Sequence, residues 1–362
     1  MTNNVIKLLS ENAINIKGNI MGKIRLTSSG KIALVNYAAQ VLYEIDTRTA
    51  MHTKVWNFEK LGIWEVFPSK NEWLVPFLSH DDNYGVLDLS QDTKMWVEQN
   101  KKASQTSIAI SNDSKLMAVI CGNSLFIHDA STGKELLSIP VKGNEESKVL
   151  FDPSGKIITH MNLDNLTAYK LPTGEKIWEI EVSGGAGYDI WEFSHNGELF
   201  GMCNLDQVGK ICITDSGEKV GFLKKGNDEK VNEIHFSDDD TKVITCSCDH
   251  SVRVWEVGSS TLIHDLNGHI DNLVESVVSF NNFTKAISFT MWDNTFYLWD
   301  LETGAFIDKI SFDFTVHDFK VIQTKNQGTR VIVVGLNDYK MDSTISMINK
   351  KPMAIHICKF GF

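Results

Sequence analysis

The chain has 362 residues, of which 42% are hydrophobic and 22% charged, and its formal net charge is −11. This composition fits a folded protein with a large core, and the negative charge argues against direct binding of nucleic acid. Residues 1–18 lack the basic start and apolar core of a signal peptide. No apolar run is long enough to cross a membrane. The six cysteines lie mostly inside apolar runs and suit buried thiols, so we expect a cytoplasmic protein without membrane insertion.

One sequence feature recurs eight times: a short run of turn-forming residues that ends in a charged residue and leads into an apolar stretch. Turn formers in this position are typical of a β-hairpin. The charged residues follow each other at intervals of 41 to 45 residues, at Lys31, Glu72, Lys115, Lys156, Glu198, Lys242, Lys285 and Arg330. A period this constant predicts eight copies of one structural unit within a single domain, residues 1–362.

Each unit continues in the same way after its hairpin. A third apolar stretch, such as residues 252–255, is followed by a turn rich in Thr, Ser and Gly and then by a fourth stretch. Period-2 alternation is typical of strands, and no helical period of useful length competes with it. The sequence therefore predicts an all-β fold in which each unit contributes four antiparallel strands.

The two units within residues 231–300 are the most alike. Lys242, Asp249 and Trp255 of the first unit match Lys285, Asp293 and Trp299 of the second, and each Trp precedes an acidic residue. These units resemble the WD40-repeat family, in which each repeat supplies one four-stranded blade of a β-propeller. The resemblance implies a single propeller of eight blades, with seven blades as the alternative.

The last blade can be completed in two ways. Residues 5–9 can supply its outer strand, or residues 344–349 and 354–360 can complete it from the C-terminal side alone. Residues 5–9 would otherwise be a strand without a sheet. We therefore favour closure by both ends of the chain.

The resemblance also implies a polar network of a His before the blade, a Ser or Thr in the second strand, an Asp in the next turn and a Trp. The seventh repeat offers His269, Asp293 and Trp299, with Phe289 at the second-strand position. The sixth repeat offers Thr245, Asp249 and Trp255, with Asn227 where His is expected. Elsewhere the Trp position holds Tyr43, Leu87, His128 or Tyr169, and we expect the network to be largely lost there. Such a set satisfies buried polar groups and is structural, not catalytic.

The segment from Cys246 to His250, which includes Cys248 and Asp249, has residue types that bind metals. It lacks the paired Cys-x-x-Cys or His-x-x-x-His spacing of zinc sites, so we expect no metal. No Gly-x-Ser-x-Gly elbow or Gly-rich phosphate loop occurs, and no cofactor is expected. The acidic run 238–240 is interpreted as solvated charge at a hairpin tip. His160, His195 and His235 are interpreted as hydrogen-bonded strand residues rather than bases.

Several aromatic residues are candidates for packing or for binding. Trp56, Trp96 and Trp178 recur in fourth strands, where packing between neighbouring blades explains them. Trp292 precedes Asp293 in a turn that, by the resemblance, lies on a face where partners dock. Trp292, Tyr188, His80 and Asn272 are therefore the candidates for partner binding, and packing against the next blade is the alternative for each.

These features favour a non-enzymatic scaffold that binds another protein or a peptide on a propeller face. The alternative is a propeller enzyme or small-ligand sensor with its site at the central channel. That alternative requires acidic or His side chains near the starts of several inner strands, and the pairs 64–65, 188–189, 232–233 and 317–318 have suitable residues.

Overall fold

The computed structural model describes residues 6–10, 24–26, 32–36, 41–46, 51–58, 61–67, 73–79, 83–90, 93–98, 105–144, 147–182, 190–203, 209–224, 231–269, 273–290, 294–312, 315–324, 328–336 and 353–360. The described residues form 32 β-strands in eight sheets of four strands. Two compact units are distinguished: residues 1–117, 128–135 and 312–362, and residues 118–127 and 136–311. That residues 1–362 form one domain stays a prediction, and so does the number of blades in the ring.

Three sheets belong wholly to the first unit. The first contains β2 (Ile24–Leu26), β3 (Ile32–Asn36), β4 (Val41–Asp46) and β5 (Met51–Asn57). The second contains β6 (Ile63–Val66), β7 (Leu74–Ser79), β8 (Tyr84–Asp88) and β9 (Thr93–Glu98). The third contains β1 (Ile6–Ser10), β30 (Thr315–Thr324), β31 (Gly328–Leu336) and β32 (Met353–Phe360). A further sheet, with residues in both units, contains β10 (Gln105–Ile110), β11 (Leu116–Cys121), β12 (Ser124–Asp129) and β13 (Glu135–Pro140).

Four sheets belong to the second unit. The first two contain β14 (Lys148–Phe151), β15 (Ile157–Met161), β16 (Asn165–Lys170) and β17 (Glu175–Glu181), then β18 (Ile190–Phe193), β19 (Leu199–Cys203), β20 (Gly209–Ile213) and β21 (Lys219–Leu223). The other two contain β22 (Val231–Phe236), β23 (Lys242–Ser247), β24 (Val252–Glu256) and β25 (Leu262–Leu266), then β26 (Ser276–Phe280), β27 (Lys285–Thr290), β28 (Thr295–Asp300) and β29 (Phe306–Ser311). The pairs in these four sheets are antiparallel, as predicted.

The N-terminal strand completes the sheet formed by the C-terminal strands. β1 pairs antiparallel with β32, with Ile6 opposite Phe360 and Leu8 opposite Cys358. Closure by both ends is therefore confirmed, with the strand one residue later than predicted. Residues 354–360 lie in β32, which is the neighbour of the outer strand β1 in this sheet. Residues 344–349 lie outside the described residues.

A serine organises the hairpin between first and second strands in three of the described sheets. The hydroxyls of Ser111, Ser194 and Ser237 each accept the backbone N–H five residues later, at 3.0 Å. The same hydroxyls donate to the Asp or Asn two residues later, at 2.6 to 2.8 Å. Because one side chain satisfies both ends of the turn, the repeated turn signal in the sequence has a direct structural cause.

A β-bulge occurs at an equivalent step between the third and fourth strands of six described sheets. It lies between residues 44 and 45, 86 and 87, 168 and 169, 211 and 212, 254 and 255, and 298 and 299 of the third strands. A bulge increases the local twist and bends the outer strand. The fourth strands are therefore irregular sheet edges in each repeat.

The fourth-strand tryptophans pack against the next sheet, as predicted, and two of them also form a hydrogen bond. The indole N–H of Trp96 donates to the Ala130 carbonyl at 2.8 Å, and that of Trp178 donates to the Thr214 carbonyl at 2.7 Å. Trp56 lies two residues further along its strand than this position, in a core cluster that includes residues of the following sheet. All three tryptophans thus pack against the next sheet, but Trp56 does so from a different position along its strand.

Glycine is required beneath the ring of Trp96. Gly133 has a φ of +72°, and a Cβ added to it would lie 2.6 Å from the Trp96 ring. A larger residue would lift the indole away from the Ala130 carbonyl.

Within the described residues, no helix is long and apolar enough to span a bilayer.

Candidate functional site

The polar network of the seventh repeat is centred on Ser288. The Trp299 indole N–H donates to the Ser288 hydroxyl at 2.7 Å, and His269 Nε2 lies 2.6 Å from the same oxygen. All three side chains are buried. The hydroxyl joins the third strand to the segment that precedes the first strand, which is a structural task.

The prediction that Phe289 holds the second-strand position of this network was wrong. Ser288 stands three residues after Lys285, just as Thr245 stands three residues after Lys242. The seventh repeat has one additional residue between this position and Asp293. Counting back from Asp293 by the spacing of the sixth repeat therefore leads to Phe289 instead of Ser288. Phe289 instead packs edge-on against Phe296, with ring centroids 5.3 Å apart. Asp293 lies outside the described residues.

In the sixth repeat the predicted network forms only in part. The Trp255 indole donates to the Thr245 hydroxyl at 3.0 Å, and both side chains are buried. Asn227, expected at the His position, lies outside the described residues. Asp249 is not hydrogen-bonded to this pair.

Asp249 takes part in a separate charged group. Its carboxylate accepts from the Ser251 hydroxyl and from the Arg253 guanidinium, the latter at 2.7 Å. Arg253 Nε also lies 3.2 Å from the Asp265 carboxylate. Burial alone would raise the pKa of Asp249, but the bonds from Ser251 and Arg253 and the charge of Arg253 outweigh it and lower the pKa. Arg253 provides the cation that a partly buried carboxylate requires here.

The third and fourth repeats have polar contacts of a different kind from those of the expected network. His128 stands at the Trp position, where its Nε2 lies 3.1 Å from the Tyr84 hydroxyl and its Nδ1 lies 3.1 Å from the Gly133 carbonyl oxygen. In the fourth repeat His160 Nε2 lies 3.4 Å from the Ser147 hydroxyl. Burial lowers the pKa of His160 to about 4, so its imidazole is neutral at physiological pH.

The segment from Cys246 to His250 is divided between the core and a turn. Cys246 is fully buried in an apolar cluster, and burial raises its pKa well above the ordinary value. The Cys248 thiol lies 3.3 Å from the Asn232 side-chain oxygen. Among the described residues, no group of three or more His, Cys, Asp or Glu side chains could hold a metal ion.

The acidic hairpin tip connects two neighbouring sheets, and its interpretation as solvated charge was wrong for Asp240. The Asp240 carboxylate accepts the backbone N–H groups of His195 and Asn196, at 2.7 and 2.8 Å. Its side chain is 9% exposed, whereas that of Asp238 is 72% exposed. Asp240 has a φ of +57°, in the left-handed region.

A charged cluster on the first strands of two adjacent sheets was missed as a group. His235 Nδ1 lies 2.6 Å from the Glu192 carboxylate, and His235 Nε2 lies 3.4 Å from that of Glu233. Glu233 also accepts the backbone N–H of Val277, on the first strand of the next sheet, at 2.8 Å. Burial by itself lowers the pKa of His235, but the bonds and charges of the two glutamates outweigh it and raise the pKa to about 10. The imidazolium thus joins the first strands of two sheets, and Glu233 extends the cluster to a third.

The four candidates for partner binding lie outside the described residues. Trp292 falls between β27 and β28, His80 falls between β7 and β8, Tyr188 precedes β18, and Asn272 precedes β26. Their assignment as binding residues stays a prediction.

Sequence comparison identifies one repeat and several distant relatives. The family model described as WD domain, G-beta repeat matches residues 217–256, which extend from β21 to β24. Autophagy-related protein 16 of Arabidopsis thaliana is 29% identical over 129 residues, 36% of this chain and 25% of that protein. The WD repeat-containing protein 26 homolog of Arabidopsis thaliana is 30% identical over 80 residues, 21% of this chain and 14% of that protein. Eukaryotic translation initiation factor 3 subunit I of Vanderwaltozyma polyspora is 29% identical over 73 residues, 20% of this chain and 21% of that protein. The matched segments thus make up a quarter or less of these relatives.

Structural comparison covers nearly the whole chain. The C-terminal WD40 domain of Sif2 superposes with a TM-score of 0.70 at 12% identity, over 95% of this chain and 98% of that domain. The computationally designed Ika8 protein superposes with a TM-score of 0.71 at 14% identity, over 96% of this chain and 99% of that protein. The repeated four-stranded sheets and this likeness show that the chain has the fold of the WD40 β-propellers, and residues 217–256 match a WD repeat in sequence.

Proposed function

We propose that this protein is a non-enzymatic scaffold that binds another protein or a peptide at one end of its sheets. The observation behind the proposal is that several polar side chains form structural hydrogen bonds. His269, Ser288 and Asp240 each form hydrogen bonds that join strands or neighbouring sheets. Groups with the chemistry of a base or a nucleophile therefore stabilise the sheets, which leaves the loops for recognition. One relative is named as a subunit of a translation initiation factor, which supports assembly with other proteins.

The sheet topology supports a common location for the predicted anchors. In a four-stranded meander, the segment that enters the first strand and the turn between the second and third strands lie at the same end of the sheet. Tyr188 and Asn272 precede first strands, and His80 and Trp292 fall between second and third strands. All four candidates thus belong in sequence to segments at equivalent ends of their own sheets.

Trp292 is the proposed anchor among these candidates. A large aromatic side chain on a short turn buries much area at a small cost in conformational entropy, as interface hot spots do. β27 ends at Thr290 and β28 begins at Thr295, and both threonines are buried. The segment that contains Trp292 is therefore bounded on both sides by buried strand residues.

The test compares capture of partners from a native lysate by the wild type, Trp292→Ala and Trp73→Ala. Trp73 is a suitable control because it is partly exposed in a hairpin at the opposite end of its sheet. We expect Trp292→Ala to weaken capture of the partner that mass spectrometry identifies by at least about tenfold, or about 1.4 kcal/mol, with an unchanged melting temperature. Retained capture with a lowered melting temperature would instead make Trp292 a packing residue.

The alternative of a small-ligand or enzymatic site is favoured by one observation, the cluster of Glu192, His235 and Glu233 on first strands. Its groups are only partly exposed, and their bonds to each other already satisfy the imidazole. A small molecule that raises the melting temperature of the wild type but not of Glu192→Gln would favour this alternative over the scaffold.

A further inference from the structure

The exposed large hydrophobic side chains of the second unit lie mostly on outer strands. Val220 and Phe222 are on β21, Ile263 is on β25, and Phe306 is on β29. Val220 and Phe222 form a pair on one strand, and Phe222 is 56% exposed. A pair of this kind on an outer strand is a candidate interaction surface.

The register identifies the residues at the position of Phe222 in five other sheets, of which three are charged and two are valines, Val55 and Val97. Lys210 and Phe222 are opposite each other on the third and fourth strands. In three other sheets, the two residues at these positions contact each other. These are Thr167 with Glu179 at 3.3 Å, Arg253 with Asp265 at 3.2 Å, and Lys309 over the Tyr297 ring at 5.5 Å. In the β18–β21 sheet the third-strand residue is Lys210, which is 6% exposed, and the fourth-strand residue is an exposed phenylalanine. The outer position thus carries an aromatic ring where these three sheets have a charged residue and two others have a valine.

The neighbouring sheet occupies only one side of β21. A Cβ added to Gly221 would lie 2.4 Å from the Ser260 hydroxyl of the next sheet, and Gly221 and Leu223 are buried. Val220 and Phe222 alternate with these residues and are exposed. A bulge at Val220 interrupts the ladder of β21, and such a bulge disfavours addition of another strand. A partner would therefore contact the two side chains rather than the strand backbone.

The charges around the pair define the partner. Exposed Lys219 and Lys224 flank Val220 and Phe222, and Lys225 follows in the sequence. The acidic residues Asp215 and Glu218 lie at the turn that precedes the strand. Lysines thus lie at both ends of the apolar pair, in a chain with a net charge of −11. This arrangement is complementary to a segment that carries an apolar anchor between acidic residues.

We propose that the surface formed by Val220, Phe222, Lys219 and Lys224 binds an acidic peptide segment of another protein through an apolar anchor residue. This surface lies on an outer strand and is distinct from the sheet ends that carry the proposed function. The proposal therefore stands or falls independently of Trp292.

The test is selection of short random peptides on the intact protein, followed by affinity measurement of the selected peptides. We expect sequences in which Asp and Glu flank an aromatic or aliphatic residue, with affinity that falls as salt is added. Phe222→Ser and the double variant Lys219→Glu with Lys224→Glu should each weaken binding at least about tenfold. Leu136→Ser, which changes an equally exposed apolar residue on another fourth strand, should leave binding unchanged.

Melting temperatures of all variants are measured alongside, and the charge-reversal variant preserves the test if Phe222→Ser proves unstable. Trp292→Ala should retain the selected peptides, which separates this surface from the sheet ends. A selection that returns no acidic peptides, or peptides that bind wild type and both β21 variants equally, would overturn the proposal.

Discussion

Single hydroxyl groups determine whether the buried indoles of the third strands are satisfied. Trp255 donates to Thr245 and Trp299 donates to Ser288, in each case across adjacent strands of one sheet. A buried N–H without an acceptor costs more than the hydrogen bond itself contributes. The hydroxyl is therefore the most sensitive atom of this network.

Ser288→Ala should destabilise the protein by about 1–3 kcal/mol, because it removes the acceptor of the Trp299 indole and the partner of His269 while the volume barely changes. Denaturant unfolding of the variant and of wild type measures the effect. Ser279→Ala, a half-buried serine on the neighbouring strand β26, is the matched control. Equal midpoints for the two variants would show that the Ser288 bonds contribute nothing.

His235 makes a pH-dependent contribution to stability because its pKa is raised to about 10 by Glu192 and Glu233. A histidine has a pKa of about 6.5 in the unfolded chain. The folded state therefore binds the proton more tightly, and this stabilisation is complete below about pH 6.5 and is lost as the pH rises toward 10.

His235→Gln should therefore be less stable than wild type near neutral pH, and the difference should shrink between about pH 6.5 and 10. Denaturant midpoints over this range provide the measurement. His264→Gln, the same change on the outer strand β25, controls for general effects of alkaline pH. A difference between His235→Gln and wild type that is constant with pH would contradict the charged pairing.

At the scale of strands, the register places three basic residues opposite one another where the N-terminal and C-terminal strands pair. Lys7 in β1 is opposite Lys359 in β32, and Lys359 is opposite Arg330 in β31. Like charges at directly opposed positions destabilise a pair of strands. The closing sheet thus has a row of three basic residues in register.

Lys7→Glu should stabilise the protein by about 0.2–1 kcal/mol, since it places an acidic residue opposite Lys359. The gain should diminish in high salt, because salt screens interactions between charges. Lys7→Gln serves as the control, because it removes the repulsion without adding an attraction. If Lys7→Glu proved neutral or destabilising at low salt, the register of β1 with β32 would be wrong.

At the scale of the whole molecule, the constant interval of turn signals was sufficient to predict four-stranded units along the entire chain. Three of the hairpins have a local cause, a serine that satisfies its own turn, so each of these could be recognised from a few adjacent residues. The indole–hydroxyl pairs also lie within one sheet, and only the additional residue before Asp293 misled the alignment. Interactions within one turn or one sheet therefore account for most of what the sequence could predict.

The contacts between sheets could not be predicted in the same way. Asp240 bonds to Asn196, 44 residues earlier, and His235 bonds to Glu192, 43 residues earlier. Each pair is separated by about one repeat, so its members look like unrelated surface residues in the sequence. Recognising them requires knowledge of which hairpin or strand is adjacent in the next sheet.

The pairing of the two chain ends predicts the effect of truncation. Deleting residues 1–10 removes β1 and exposes β32 as a sheet edge, which should lower stability by about 2–4 kcal/mol through the lost ladder hydrogen bonds. An exposed edge strand also promotes association between molecules, so the truncated protein should aggregate on concentration. Deleting residues 1–4, which precede β1, is the control and should preserve both stability and monodispersity. Unfolding midpoints and light scattering report the two effects, and a truncated protein that matches the control in both would show that β32 needs no partner from the N-terminus.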